Sequence, residues 1–231
     1  MRTVLWSGIL LVALGLPPAR AAEPLVRLGF GAGLGNAGTF GGEARVVEYV
    51  PGEGPTRARG VAGMGLSFER SSRSGGSTFE KAGGGALFTD PRLAGLRRFT
   101  LALWFRPIET AGPARLLWMN PEWDLHLSGS AVVFKVKSGG RDYPVATARG
   151  VGEGWSFVAV AADVDTGKGT MHLGTPGSPA APAAVFEGMP IPDKGAGSLE
   201  IGNLGGIRPF KGVLDEVRLY GAVLSEAEVK A

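Results

Sequence analysis

The chain has 231 residues, of which 39 are glycine and 16 are proline; 44% are hydrophobic, 19% are charged, and the formal net charge is +3. This glycine and proline content argues against a helical bundle, whereas the hydrophobic share is large enough to bury a core. Cysteine is absent and only two histidines occur, which excludes disulfides, Cys-ligated zinc and cysteine nucleophiles and leaves carboxylates as the groups on which any chemistry would rest.

The first 21 residues have the pattern of a secretory signal peptide. Arg2 is followed by an apolar run over residues 4–16, and residues 19–21 have the small-x-small form of a cleavage site. The run is too short to span a bilayer, and no cysteine follows it to carry a bacterial lipoprotein anchor. We therefore predict cleavage after Ala21, no membrane insertion, and a soluble exported product located in the periplasm or outside the cell.

Removal of this segment would leave little net charge. The formal charge falls from +3 to +1 without Arg2 and Arg20, because the first 21 residues contain no acidic residue. Nucleic-acid binding depends on a strongly basic surface, which a nearly neutral chain lacks. We therefore predict no nucleic-acid partner.

Alternation of apolar and polar residues predicts β-strands through most of the remaining chain. Turns rich in Gly, Asp and Ser separate these segments. In chain order, the predicted strands cover residues 25–30, 46–50, 66–69, 86–88, 99–106, 122–128, 131–137, 155–163, 170–174 and 213–220. Many short strands at this spacing predict an all-β fold, a two-sheet antiparallel β-sandwich or jelly roll, in one domain of residues 22–231.

Other signals refine this fold. The strand at residues 155–162 is apolar on both alternating faces, which predicts a central strand that is covered on both sides. Trp104 and Trp155 lie within strong strands and are predicted to belong to the core. The one convincing helix signal is the Ser-x-x-Glu capping box from Ser225 to Glu228, which predicts a short C-terminal helix.

Three segments resemble one protein family. They are FTLALWFRP at 99–107, GWSFVAVAADVDTGKGTMHLG at 154–174, and LEIGNLGGIRPFKGVLDEVRLYGAVLSEAEV at 199–229. The last segment is similar to the ending of the laminin G-like, concanavalin A-like jelly roll, although Gly174 stands where many members have an N-G turn. The resemblance covers residues 25–229 and implies the jelly-roll fold. It implies no single activity, because this superfamily contains lectins, glucanases and adhesion modules.

Asp215 is an acidic residue on an apolar strand face. Period two places Asp215 on the same side of its strand as Val213, Val217 and Leu219. An unpaired buried charge costs several kcal/mol, so hydrogen bonds, a cation or a raised pKa must compensate it. The residues alone leave these alternatives open.

The family resemblance implies a structural calcium ion at this acid. In relatives with the D-E-V-R pattern, the matching aspartate often binds calcium together with backbone carbonyls from the N-terminal strand region. Carried over to this chain, Asp215 becomes a metal ligand, and Asn36 in the loop after the first strand supplies a second oxygen. Calcium prefers six to eight oxygen ligands, so this site would be structural and of modest affinity. The alternative is that Asp215 accepts backbone N–H groups or pairs with an arginine.

The segment EWDLH at 122–126 resembles half of a glucanase signature. Retaining glucanases of this fold use an E-x-D-x-(x)-E strand, but here His126 or Leu127 stands where the second glutamate would be. Period two places Glu122, Asp124 and His126 on one face, yet same-face neighbours lie about 6.5–7 Å apart, beyond the spacing of a retaining carboxyl pair. A glycoside hydrolase that uses Glu122 and Asp124 is therefore an alternative function.

The same region offers groups that bind sugars. Carbohydrate sites combine an aromatic platform with a few carboxylate or amide groups, and the candidates near this strand are Trp118, Asn120, Trp123, Asp124 and Tyr143. For Trp123, packing in the core with Leu125 and Leu127 is the competing interpretation.

Together, these patterns predict a non-catalytic recognition module. Its partner would be an extracellular glycan or a cell-surface protein, and it would carry a structural calcium ion. The alternatives are the glycoside hydrolase and a protein-binding structural or adhesion module.

Overall fold

The structure is a computed structural model that describes residues 22–75, 80–110 and 112–230. Within this part of the chain, no helix is long and apolar enough to cross a membrane. The predicted signal peptide lies outside the described residues.

Fifteen strands, one α-helix and a 3₁₀ turn at Pro91–Leu93 follow each other along the described part of the chain. The N-terminal half contains β1 (Val26–Leu28), β2 (Arg45–Glu48), β3 (Thr56–Arg59), β4 (Met64–Ser67), β5 (Gly84–Thr89), β6 (Arg98–Pro107) and β7 (Pro113–Asn120). The C-terminal half contains β8 (Trp123–Ser128), β9 (Ala131–Ser138), β10 (Arg141–Arg149), β11 (Ser156–Asp163), β12 (Lys168–Thr175), β13 (Ser178–Phe186), β14 (Ser198–Ile201), β15 (Gly212–Tyr220) and α1 (Glu226–Lys230).

The strands form two antiparallel sheets, which confirms the predicted β-sandwich. One sheet has eight strands in the order β13-β12-β11-β6-β15-β4-β3, and β1 also pairs with β15. The other has seven strands in the order β10-β9-β8-β7-β14-β5-β2. The capping box begins the short helix as predicted: the Ser225 backbone N–H donates to Glu228 at 2.8 Å, and the Glu228 N–H donates to the Ser225 hydroxyl at 3.4 Å.

Alternating residues of the two sheets meet in one core. In the seven-stranded sheet, Trp123, Leu125 and Leu127 of β8 point inward, which confirms the core interpretation of Trp123. The Trp123 ring stacks on Phe99 of the opposite sheet with centroids 5.7 Å apart. Because β8 uses every second residue for the core, Asp124 and His126 lie on the outer face of their sheet.

The structure confirms the predicted central position of β11, but the predicted core positions of Trp104 and Trp155 are wrong. β11 pairs with β6 on one side and β12 on the other. Trp104 and Trp155 are only half-buried and do not belong to the core. The reason is alternation: on β6 the inward residues are Phe99, Leu101, Leu103 and Phe105, which leaves Trp104 on the outer face.

A β-bulge in β15 overturns the predicted face of Asp215. The pairing of β15 with β6 shifts between Asp215 and Arg218, and Glu216 has a φ of 49°. This irregularity changes the phase of the strand, so Leu214, Val217 and Leu219 belong to the core. Asp215 therefore does not share the face of Val217 and Leu219, yet its exposed fraction is 0%.

Candidate functional site

A row of side chains crosses the outer face of the seven-stranded sheet. Trp118 of β7 is directly opposite Glu200 of β14 on one side and Asp124 of β8 on the other. Asp124 is in turn opposite Lys135 of β9. Residues opposite each other in a sheet project from the same face, so the register alone aligns an indole ring with two acids and an amine.

Part of this row lies in a depression with a volume of about 220 Å³. Its floor is formed by β7, β8 and β9, and the segment from Leu204 to Arg208 forms one side. The depression is lined by Trp118, Asn120, Asp124, Lys135, Arg208 and Arg115, among others. We call this site the Trp118 depression.

Asp124 is the centre of a buried polar network in this depression. Its Oδ2 accepts from Arg115 Nη2 at 3.2 Å and lies 3.1 Å from Lys135 Nζ, and its Oδ1 lies 2.5 Å from His126 Nδ1. Burial by itself raises the pKa of Asp124, but the hydrogen bond from His126 and the charges of Arg115 and Lys135 outweigh burial and lower it. Burial lowers the pKa of His126, and the hydrogen bond to Asp124 opposes this effect.

The structure brings together most of the residues that the sequence predicted for sugar binding. Trp118, Asn120, Trp123 and Asp124 all line the depression, although the ring of Trp123 packs in the core. Tyr143 is 40% exposed on β10 and is not among the lining residues.

The two acids proposed for glycoside hydrolysis do not share a pocket. Glu122 precedes β8, and its Oε1 accepts the backbone N–H groups of Gly95 and Gly195, both at 3.0 Å. Burial raises its pKa despite these two hydrogen bonds. Asp124 lines the Trp118 depression and Glu122 does not, so the structure does not arrange them as a pair around one substrate.

The oxygen atoms assigned to calcium all accept hydrogen bonds from backbone N–H groups. The Oδ1 of Asp215 accepts from Glu216 at 2.8 Å, and its Oδ2 accepts from Ala62 at 3.1 Å. Burial raises the pKa of Asp215, and these hydrogen bonds oppose the rise. Among the described residues, no group of three or more His, Asp and Glu side chains is placed to hold a metal ion.

The side-chain oxygen of Asn36 also accepts backbone N–H groups. Its Oδ1 accepts from the backbone N–H groups of Arg27 at 2.7 Å and Gly38 at 2.8 Å, while its Nδ2 donates to Leu25 and Gly41 carbonyls. With one carboxylate and one amide, whose oxygens already accept backbone N–H groups, these side chains offer few of the six to eight oxygens that calcium prefers, and calcium stays a prediction of the family resemblance.

A second concave region lies on the outer face of the eight-stranded sheet. It is a groove of about 480 Å³ whose floor includes Trp104 and Phe157, with ring centroids 5.3 Å apart. Arg218 and Glu216 lie in the same groove and pair with each other at 2.6 Å. The hairpin between β12 and β13 and the helix α1 form its walls. We call this region the Trp104 groove.

Sequence reasoning missed the basic residues of the Trp118 depression and the whole of the Trp104 groove. Arg115 and Lys135 reach the depression through strand register, and Arg208 reaches it from a loop more than 70 residues away from Lys135 in sequence. The sequence did contain a signal that Trp104 faces outward, because it alternates with the apolar residues Leu103 and Phe105 on β6.

The comparisons with known proteins agree with this architecture. A family model described as the concanavalin A-like lectin/glucanases superfamily matches residues 80–230, and the chain therefore belongs to this family. No curated protein sequence matches the chain.

Among solved structures, the chain is similar to domain 4 of AbnA, a GH43 extracellular arabinanase from Geobacillus stearothermophilus, in complex with arabinotriose. The TM-score is 0.67 at 17% identity, covering 91% of this chain and 98% of that domain. It is also similar to the receptor binding domain of botulinum neurotoxin type G, with a TM-score of 0.63 at 9% identity, covering 90% of this chain and 50% of that one.

A third similar structure is the binding domain of Paraclostridial Mosquitocidal Protein 1, with a TM-score of 0.58 at 14% identity over 90% of this chain and 51% of that one. The chain thus spans about half the length of these two binding domains. At these identities, the likeness establishes the fold.

Proposed function

We propose that this protein is an exported, non-catalytic carbohydrate-recognition module and that its ligand binds in the Trp118 depression. The observation that carries the proposal is the convergence of one half-buried indole, Trp118, with the amide of Asn120 and the charged groups of Asp124 and Lys135 in one concave site. An aromatic ring offers apolar contact to the C–H face of a sugar, and the polar groups offer hydrogen bonds to its hydroxyls.

Two further observations support a binding role over catalysis. Asp124 is held charged by three nitrogen groups, whereas a general acid needs a carboxyl that stays protonated. The similar arabinanase domain is described in complex with arabinotriose, a neutral sugar chain. That ligand belongs to the other protein, and it makes arabinan a sensible first probe.

The experiment is a glycan-array screen of the protein purified from residue 22 onward, followed by titration calorimetry with the best ligand. Trp118→Ala is the test variant, and Trp104→Ala is its matched control, because both remove a half-buried tryptophan from the outer face of a sheet. We expect Trp118→Ala to weaken binding at least tenfold and Trp104→Ala to leave it unchanged. Loss of binding in Trp104→Ala alone would move the site to the Trp104 groove.

A protein-binding adhesion module is the second candidate, and the Trp104 groove favours it. The groove has about twice the volume of the depression, and Trp104, Phe157 and Tyr220 line it. On its floor, Arg218 and Glu216 pair with each other, which suits an apolar partner surface better than a polar sugar. Capture of one identified protein that Trp104→Ala abolishes, together with a blank glycan array, would establish this alternative.

A further inference from the structure

Positive charge exceeds negative charge around the Trp118 depression. Four cationic side chains line it against two carboxylates: Arg115, Lys135, Lys137 and Arg208 against Asp124 and Asp142. His126 adds no charge when its imidazole is neutral. Asp124 is shared between Arg115 and Lys135, so one buried carboxylate compensates two cations.

The uncompensated positive charge is clearest at Arg115. Its side chain is only 2% exposed, and one of its nitrogens, Nη2, bonds to Asp124. Within the described residues, its Nε and Nη1 have no hydrogen-bond partner. Burial lowers the pKa of Arg115, and the positive charge of Arg208 lowers it further against the opposing effect of Asp124. A buried guanidinium with unused donors and a like charge beside it costs folding free energy, and a negative charge placed nearby would offset part of that cost.

The remaining cations of the site are also available. Among the described residues, neither Lys137 nor Arg208 forms an ion pair through its side chain. Lys135 has a second partner, Asp142, at 2.9 Å, but the Asp142 side chain is 57% exposed and therefore screened by water. The depression thus holds two unpaired cations at its rim and one incompletely bonded guanidinium below them.

We infer that the sugar bound in the Trp118 depression carries a carboxylate, as a uronic acid unit does. The inference rests on the proposed function and names its ligand class. A carboxylate in the depression would accept charge-assisted hydrogen bonds from Arg208 and Lys137, which are stronger than those to a neutral hydroxyl, and its charge would offset that of the buried Arg115 without direct contact. Trp118 would contact the sugar ring that carries it. A neutral arabinan or glucan would leave the excess charge uncompensated.

The first experiment compares one polymer in two charge states. Polygalacturonate and its carboxyl-reduced neutral form have the same backbone linkage, and binding of the protein to each is measured by titration calorimetry in 50 mM and 500 mM NaCl. We expect the acidic polymer to bind about tenfold or more tightly at low salt, with the difference shrinking at high salt as charges are screened. A sulfated galactan is the third ligand, and tighter binding to it than to polygalacturonate would overturn the assignment of a carboxylate.

The second experiment locates the charge effect. Arg208→Gln and Lys137→Gln each remove an unpaired cation at the rim, and Arg149→Gln removes an exposed cation from β10 that does not line the depression. We expect the first two variants to weaken polygalacturonate binding about three- to tenfold and to lower its salt dependence, with Arg149→Gln matching the wild type. Thermal melts of all three confirm that they fold.

The outcomes separate the inference from the function on which it rests. Equal affinity for the acidic and the reduced polymer would overturn the uronic acid inference and leave carbohydrate recognition intact. An equal loss in Arg208→Gln and Arg149→Gln would show a diffuse charge effect and overturn this location. A protein that binds no glycan of either charge on the array would overturn both.

Discussion

Replacement of Asp215 by asparagine tests whether backbone N–H groups alone stabilise this buried acid. Asparagine has nearly the same shape, so no cavity forms and the change is confined to one oxygen and the charge. Asp215 accepts from Glu216 at 2.8 Å and from Ala62 at 3.1 Å. The amide keeps one acceptor, while its NH₂ group faces the remaining backbone N–H and leaves that donor unpaired.

The expected cost follows from these contacts. Hydrogen bonds to charged groups contribute about 1.5–3 kcal/mol, and an orphaned buried donor costs about 1–3 kcal/mol. Because a single contact is lost, we expect the free energy of unfolding to fall by about 2–3 kcal/mol, partly offset because burial disfavours the charged form of Asp215. Urea denaturation at pH 7, followed by tryptophan fluorescence, measures this quantity.

The control repeats the measurement with 5 mM calcium and with chelator. If backbone hydrogen bonds compensate Asp215, neither addition shifts the unfolding midpoint of the wild type or the variant. A calcium-dependent rise in wild-type stability that Asp215→Asn removes would refute this account and restore the metal site that the family resemblance implies.

Three other changes test the packing, the backbone and the electrostatics of the sandwich. Leu125→Ala, in the core of β8, should lower the free energy of unfolding by about 2–5 kcal/mol in urea melts, and a smaller loss would mean that the core is loosely packed. Gly197→Ala should destabilise more than Gly177→Ala: both glycines have positive φ, but an added Cβ overlaps the Asp90 carbonyl only at Gly197. Asp124→Asn should have a lower free energy of unfolding than the wild type at pH 7, and this difference should shrink below about pH 4. The reason is that a carboxylate whose pKa is lowered by folding stabilises the fold above its unfolded pKa and loses this effect as the pH falls through its folded pKa. A gap that stays constant from pH 7 to pH 3 would show that the charge of Asp124 is not what stabilises the network.

Strands with clear alternation were predictable, and those without it were not. The segments at 99–106 and 131–137 match β6 and β9 closely because one side of each is continuously apolar. β10 and β13 were missed because both contain proline and lack alternation. They are the end strands of their sheets, and proline is tolerated there because its missing N–H can face away from the neighbouring strand.

The candidate site was predictable only where its residues are near each other in sequence. Trp118, Asn120 and Asp124 come from one hairpin, so the sequence already places them together. Lys135 and Arg208 join them through register and loop geometry, which a single sequence does not specify. The prediction of which β15 residues share a face was wrong for a different reason. A bulge with an extra residue at Asp215 and Glu216 interrupts the alternation, and no glycine marks it in the sequence.

The position of β15 has a consequence for folding. It pairs with β6 on one side and with β1 and β4 on the other, so a strand from the C-terminal part of the described chain joins the earliest strands in the middle of a sheet. These pairings close long loops, and the eight-stranded sheet stays divided until residues 212–220 dock between β6 and β4.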